Sequence, residues 1–398
     1  MDSSEKRIEV ENEFKRLETI ERQLKNRMIF IGTWPVSNPN IFYRAISIFD
    51  IICIILLGIM VMRFASANIS NINLMVRGFS LGGSFFTIAF KIGLFVFHKE
   101  TALELKVILR KYQTELLAHK KFKYLVLENF GGFRRVITLL DIFVFLGCLM
   151  YSLTPIVMMI IRVQKHGQPV KYLLPTPALY PWKIPPGGLL YIITYICETY
   201  IIWCMYPVTA GMDPMFAYFI YQITSQLRVM SYQMKNLPSA EDLNDFIRKW
   251  MMKFLVMKKC CDNLQKIYGP LILWQVITNS TVICTILFQI LQGGASAVQI
   301  ILVLGHCAGK IMQTYTYAWA GSQLTTESQA LTESVYFSDW MGPDRRIFRK
   351  SILLILTQPA LQVTAAGWVT VSLDLFTMTL NTAVSYFFLL QTFEEQQS

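Results

Sequence analysis

The sequence predicts an all-α fold: a seven-transmembrane helical bundle with its N-terminus cytoplasmic and its C-terminus extracellular. Three observations carry this. Of 398 residues, 54% are hydrophobic and only 16% charged, whereas soluble domains carry about 25% charge. Apolar runs of about 20 residues, enough to cross a bilayer as a helix, recur along the chain. Lysine and arginine are also sorted between alternate connecting segments.

The runs fall at about 42–62, 74–97, 136–161, 188–219, 268–291, 296–320 and 363–393. The second is interrupted by Gly82 and Gly83, with Arg77 and Lys91 near its ends. The fourth is longer than a bilayer requires and carries Glu198, Pro207 and Pro214, which predicts a kink. Of the 37 basic residues, 28 lie in the N-terminal region and the segments after spans two, four and six. Only five lie on the other side. By the positive-inside rule the N-terminus is cytoplasmic. The net charge of +11 thus reports topology and not a nucleic-acid partner. The sequon Asn68-Ile69-Ser70 falls outside in this topology and marks Asn68 as a glycosylation candidate. Asn279-Ser280-Thr281 lies within span five, out of reach.

Residues 1–41 open with mixed charge and show no signal-peptide pattern. The basic connections are long and amphipathic. Ser239, followed by Glu241 and Asp242, predicts a helix start, with Leu243, Phe246, Ile247, Trp250, Phe254 and Met257 on an apolar face. Spans four, five and six are expected to continue into the cytoplasm, their apolar faces buried against one another or lying on the membrane surface. The connection between spans three and four has five prolines from Pro175 to Pro186, which makes it stiff and extended. It either caps a cavity or simply connects. Six cysteines fall in apolar segments, and Cys260 and Cys261 in a basic loop. None has metal-site spacing, so no metal or other cofactor is expected. No phosphate loop, zinc-protease motif or catalytic triad is present, and an enzyme is not predicted. His306, in span six, reads either as a hydrogen-bonded core histidine or as a ligand contact.

Span seven carries Asp374, Thr377, Asn381 and Ser385 at spacings of three, four and four, one stripe of a helix, followed by Leu389 and Phe393. Polar groups in a span face a bundle interior or a wet path. They either bond to neighbouring helices within one chain or line a pore between subunits, with Leu389 and Phe393 as an apolar constriction.

The block Ser334–Phe393, "SVYFSDWMGPDRRIFRKSILLILTQPALQVTAAGWVTVSLDLF…SYFFLLQTF", resembles the insect odorant receptor family. "IFIGTWP" (Ile29–Pro35), "LQKIYGPLILWQVITNSTVICTILFQI" and "YTYAWAGSQLTTES" support the resemblance over nearly the full length. It implies a subunit of a tetrameric, odorant-gated, non-selective cation channel, and thus a role in smell. The partners implied are a shared odorant receptor co-receptor (Orco) in a heterotetramer, a small volatile odorant and membrane lipid. The implied location is the plasma membrane of an olfactory sensory neuron. "VSLDLF" is similar to the co-receptor, but the chain is shorter and lacks its extended segment between spans four and five, so a ligand-specific subunit is expected.

The resemblance also implies a division into a cytoplasmic segment 1–41, spans one to six at 42–320, a cytoplasmic anchor region 321–362 and a pore-lining helix with a short tail at 363–398. It places Leu389 and Phe393 at the gate. The odorant pocket would lie between spans two, three, four and six. There this chain offers Gly82, Phe85 and Phe86; Gly147 and Tyr151; Ile202, Trp203 and Tyr206; and His306. Ordinary helix packing is the alternative for each. Two other functions compete. A gustatory receptor-type channel would end in a TY…QF pattern, from which the displaced Gln391 departs. A metabotropic seven-span receptor would have the opposite orientation and the DRY-like and NPxxY motifs that are missing here.

Overall fold

The computed structural model describes residues 3–166, 172–238, 243–291, 297–340 and 346–397. Helix α1 (Ser3–Phe30) precedes α2 (Ile41–Ala67) and α3 (Ile72–Phe97), followed by α4 (Lys99–Ala118), α5 (Lys120–Leu127) and α6 (Phe130–His166). Then come α7 (Leu189–Pro207), a π turn (Val208–Met212), α8 (Asp213–Lys235), α9 (Leu243–Leu291), α10 (Ala297–Tyr336) and α11 (Arg346–Leu356). A two-stranded hairpin, β1 (Thr364–Ala365) and β2 (Val369–Thr370), leads into α12 (Leu373–Gln397).

Among the described residues, five stretches are long and apolar enough to cross a membrane: Ile41–Ala67, Leu74–Phe97, Phe130–Ile161, Leu189–Lys235 and Leu243–Ile290. The sixth and seventh expected spans are α10 and α12, which are not among these five and pack on α9 and on each other. α3 and α9 are the inner helices, 61% buried over their apolar windows against 28–33% for the other three. The outer helices turn apolar side chains outward, as Ile48, Phe49, Ile52 and Leu56 of α2 do, where lipid is their natural neighbour. α2 turns Ile54, Leu57, Val61 and Ala65 inward and packs closely on α3: a Cβ on Gly78 would sit 2.8 Å from that of Ala65.

The 49 residues of α9 span roughly 74 Å at 1.5 Å per residue, more than twice the hydrocarbon core of about 30 Å. Its first half therefore leaves the membrane, together with the end of α8 and the C-terminal half of α10. Their apolar faces are buried against one another and against α1, α4 and α5. This decides between the two expectations for these helices. Trp250 is 1% exposed, donates its indole N–H to the Met230 carbonyl at 3.2 Å and stacks on Phe254.

Several expectations need correction. The N-terminal segment, read as mixed charge, is a helix whose Leu17, Leu24 and Met28 enter the core. Cys260 and Cys261 lie buried inside α9, not in a loop. The last span does not begin at 363: its first eight residues form the hairpin, with Ala366 and Gly367 at positive φ (52° and 82°) in its turn. Gln265 of α9 holds the hairpin, its amide N–H₂ donating to the Thr364 carbonyl and its oxygen accepting from the Thr364 N–H, both at 2.6 Å. The expected start at Ser239, Glu241 and Asp242 lies outside the described residues. Where a kink was expected, span four carries the π turn, entered from Pro207 and left by Asp213-Pro214.

Candidate functional site

Helices α3, α6, α7 and α10 line a cavity of about 110 Å³. Residues three and four apart on each helix supply its walls: Leu81, Phe85 and Ile88 from α3, Val144, Gly147 and Tyr151 from α6, and His306, Gly309 and Gln313 from α10. The space exists because three wall positions are glycine. A Cβ on Gly147, Gly305 or Gly309 would meet no atom within 4 Å. The lining is mostly apolar, as suits a small hydrophobic ligand.

The polar groups at the cavity are few and specific. His306 Nδ1 lies 3.1 Å from the Tyr151 hydroxyl, and its Nε2 lies 3.5 Å from Ser84 Oγ. One imidazole thus joins α3, α6 and α10. Thr176, from the proline-rich connection, lines the cavity and is pinned by its N–H and hydroxyl, both donating to Glu198 at 2.8 Å. Tyr180 donates to the same carboxylate at 2.7 Å. Burial first, and the Glu198 charge second, push the Tyr180 hydroxyl above its ordinary range, so it stays a donor. The connection therefore caps the cavity. Beneath lies a buried network. Lys91 pairs with both oxygens of Asp213 at 2.7 Å, and Asp213 also accepts from Gln313 at 2.5 Å and Tyr317 at 2.6 Å. Both members of the pair are fully buried.

Of the nine residues expected in a pocket, Phe85, Gly147, Tyr151, Ile202 and His306 line this one cavity. The other four do not. A Cβ on Gly82 would sit 2.7 Å from Met62 Sδ, so that face belongs to the α2–α3 contact. Phe86 reaches the same interface beside Gly58. Trp203 packs edge-on to Phe145, between α6 and α7. Tyr206 donates to Asp141 at 2.8 Å beneath the Arg27 guanidinium, which also pairs with Asp141. Sequence reasoning missed Ser84, Thr176, Lys310 and Gln313. Lys310 carried a signal, since an ionisable residue within a span is a functional candidate by default.

Helix α12 presents two opposite faces. Leu375, Thr379, Ala383 and Phe387, four apart, are buried, and the Ser280 hydroxyl of α9 lies 3.4 Å from the Thr379 carbonyl. Asp374, Thr377, Asn381, Ser385 and Leu389 are exposed. Thr377 and Ser385 spend their hydroxyls on the carbonyls of Asp374 and Asn381 in their own helix. Among the described residues, the stripe therefore makes no hydrogen bond to a neighbouring helix of its own chain. The Phe393 side chain lies outside the described residues. Asn68 caps α2, its amide donating to the Phe64 carbonyl at 2.8 Å.

The family model described as "7tm Odorant receptor" matches residues 71–384. The chain belongs to that family. Odorant receptor 13a of Drosophila melanogaster is 24% identical over 281 residues, 65% of this chain and 67% of that protein. Odorant receptor 82a of the same organism is 22% identical, over 58% of this chain and 60% of its own length. The odorant receptor coreceptor of Anopheles gambiae is 25% identical over 36% of this chain and 30% of its own. In fold, the chain is similar to the insect olfactory receptor OR5 from Machilis hrabei solved with eugenol. That match has a TM-score of 0.76 at 14% identity and covers 96% of this chain and 99% of the other. A second structure of the same receptor matches with a TM-score of 0.73. This is an odorant-sensing receptor subunit, and the gustatory and metabotropic alternatives find no support among these relatives. The family is one of receptors and channels, not of enzymes.

Proposed function

We propose that this odorant receptor is the ligand-specific subunit of an odorant-gated, non-selective cation channel that works with the shared co-receptor. The observation that carries the reading is the two-faced α12. Its apolar stripe seats it on α9 and α10, and its polar stripe faces away from the rest of the chain. Leaving Asp374, Thr377, Asn381 and Ser385 against lipid would cost several kcal/mol. A water-filled axis shared with neighbouring subunits removes that cost, with Leu389 and Phe393 as the apolar constriction.

Odorant and pore communicate through α10. One part of it forms a cavity wall at His306, Gly309 and Gln313. Further along, Tyr315 packs edge-on to Phe376 of α12 at 5.6 Å. At Gly321 an added Cβ would lie 2.1 Å from the Val371 carbonyl, so helix and hairpin touch backbone to backbone. A ligand that shifts α10 thus shifts the start of α12. The cytoplasmic anchor is the region 321–362, in which α11 packs on α9 and the end of α10. The complex resides in the plasma membrane of an olfactory sensory neuron, with Asn68 on the outer face available for glycosylation.

The test is whole-cell current in cells expressing this chain alone and with the co-receptor, under a panel of volatiles. Current that needs no G protein, and changes when Leu389 is replaced by alanine, is the expected result. Surface-expressed protein that never conducts with any volatile would overturn the channel reading.

A further inference from the structure

Lys310 lines the cavity and is only 9% exposed. Among the described residues its ammonium has no ion-pair or hydrogen-bond partner. The charged groups that act on it are Lys91 and Asp213. Asp213 is already engaged: both its oxygens bond to Lys91, and Gln313 and Tyr317 donate to them as well. Two buried amino groups therefore share one carboxylate, and the Lys310 amine is left at the cavity wall without an acidic partner. No other lining residue carries a carboxylate or a guanidinium. The remaining wall is aliphatic and aromatic, apart from the hydroxyls of Ser84, Tyr151, Thr176 and Thr209, the Gln313 amide and His306. A partnerless buried charge is strongly destabilising, and a partner that arrives with the ligand removes that cost.

We propose that the cavity selects small apolar acids, whose carboxylate pairs with the Lys310 ammonium while the hydrocarbon chain lies between Phe85, Ile88 and Ile202. The inference rests on the cavity being the odorant site and adds the chemical class of its ligand. The aliphatic wall holds acids, alcohols and esters of one chain length about equally, because burial is proportional to apolar area. Lys310 discriminates among them, since charge-assisted hydrogen bonds are about twice as strong as neutral ones.

The experiment is ligand-induced thermal stabilisation of the purified full-length protein, with hexanoate, hexanol and methyl hexanoate as probes. Hexanoate is expected to raise the midpoint at concentrations roughly tenfold below those of hexanol, a difference of about 1.4 kcal/mol. Lys310→Met should weaken hexanoate about tenfold and leave hexanol nearly unchanged, while Lys310→Arg keeps the preference. Equal stabilisation by hexanoate and hexanol in the unmodified protein overturns the proposal, and that comparison needs no variant to fold. A hexanoate effect indifferent to Lys310→Met overturns it too. Currents then separate the two readings. Hexanoate binding without any volatile-evoked current contradicts the channel alone, and current evoked by hexanol without acid preference contradicts the ligand class alone.

Discussion

Helices α10 and α12 both carry polar residues at helical spacing within the membrane bundle, yet the structure uses them in opposite ways. On α10, Lys310, Gln313, Thr314 and Tyr317 are buried and turned into the chain's own core and cavity. Gln313 and Tyr317 bond to Asp213, and Thr314 accepts from Asn279 of α9 at 2.9 Å. On α12 the stripe faces out, and the hydroxyls of Thr377 and Ser385 bond only within their own helix. Spacing alone shows that a helix has a polar face. Which neighbour that face meets depends on where the helix sits, at the centre of one chain or on the side it presents to others.

The comparison can be broken first at its most buried point. Asp213→Ala leaves Lys91 without its counter-charge and should cost about 3–5 kcal/mol, seen as lost surface expression and a lower unfolding midpoint. Combining it with Lys91→Met should recover most of that loss. Second comes the joint between the two helices. Gly321→Ala places a Cβ against the Val371 carbonyl and should cost about 1–3 kcal/mol by overpacking, with odorant-evoked current falling more than surface expression. Third is the cavity. Tyr151→Phe removes the hydroxyl 3.1 Å from His306, a loss of about 0.5–1.5 kcal/mol that should appear as a dose–response shift of about two- to twelvefold. Tyr151→Ala should shift it further while surface expression holds. Smallest in stability is the outer stripe. Thr377→Val and Ser385→Ala should change the unfolding midpoint by no more than about 0.5 kcal/mol, yet alter ion permeability, read as a moved reversal potential. A stability loss there as large as at Asp213 would erase the distinction between the two helices.

Much of this was legible in the sequence. The five apolar stretches follow from run length, and the buried face around Trp250 from its amphipathic pattern. The π turn lies where Pro207 and Pro214 predict a kink. Five of the nine residues expected through the resemblance line the cavity, because their register on α3, α6, α7 and α10 is set by helical period. The misses share a cause. Gly82 and Phe86 lie on the correct helix but on its α2 face, and Tyr206 turns to Asp141, a residue 65 positions away. Thr176 enters through a bent connection without period, and no local pattern reveals that Glu198 will hold it. The N-terminal helix was hidden by charge: between residues 11 and 30 only Leu17, Ile20, Leu24 and Met28 are buried. The hairpin at 364–370 was hidden by apolar residues that read as more of the same span.

The most direct test of the central claim, that the outer face of α12 lines a wet path between subunits, is thiol accessibility in the co-receptor complex. Asn381→Cys and Ser385→Cys would each be compared with Ala383→Cys, a position on the buried face, using a water-soluble thiol reagent during odorant-evoked current and the unmodified chain as background. The account predicts block at 381 and 385 and none at 383. Conducting channels whose current is indifferent to the reagent at 381 and 385 would contradict it.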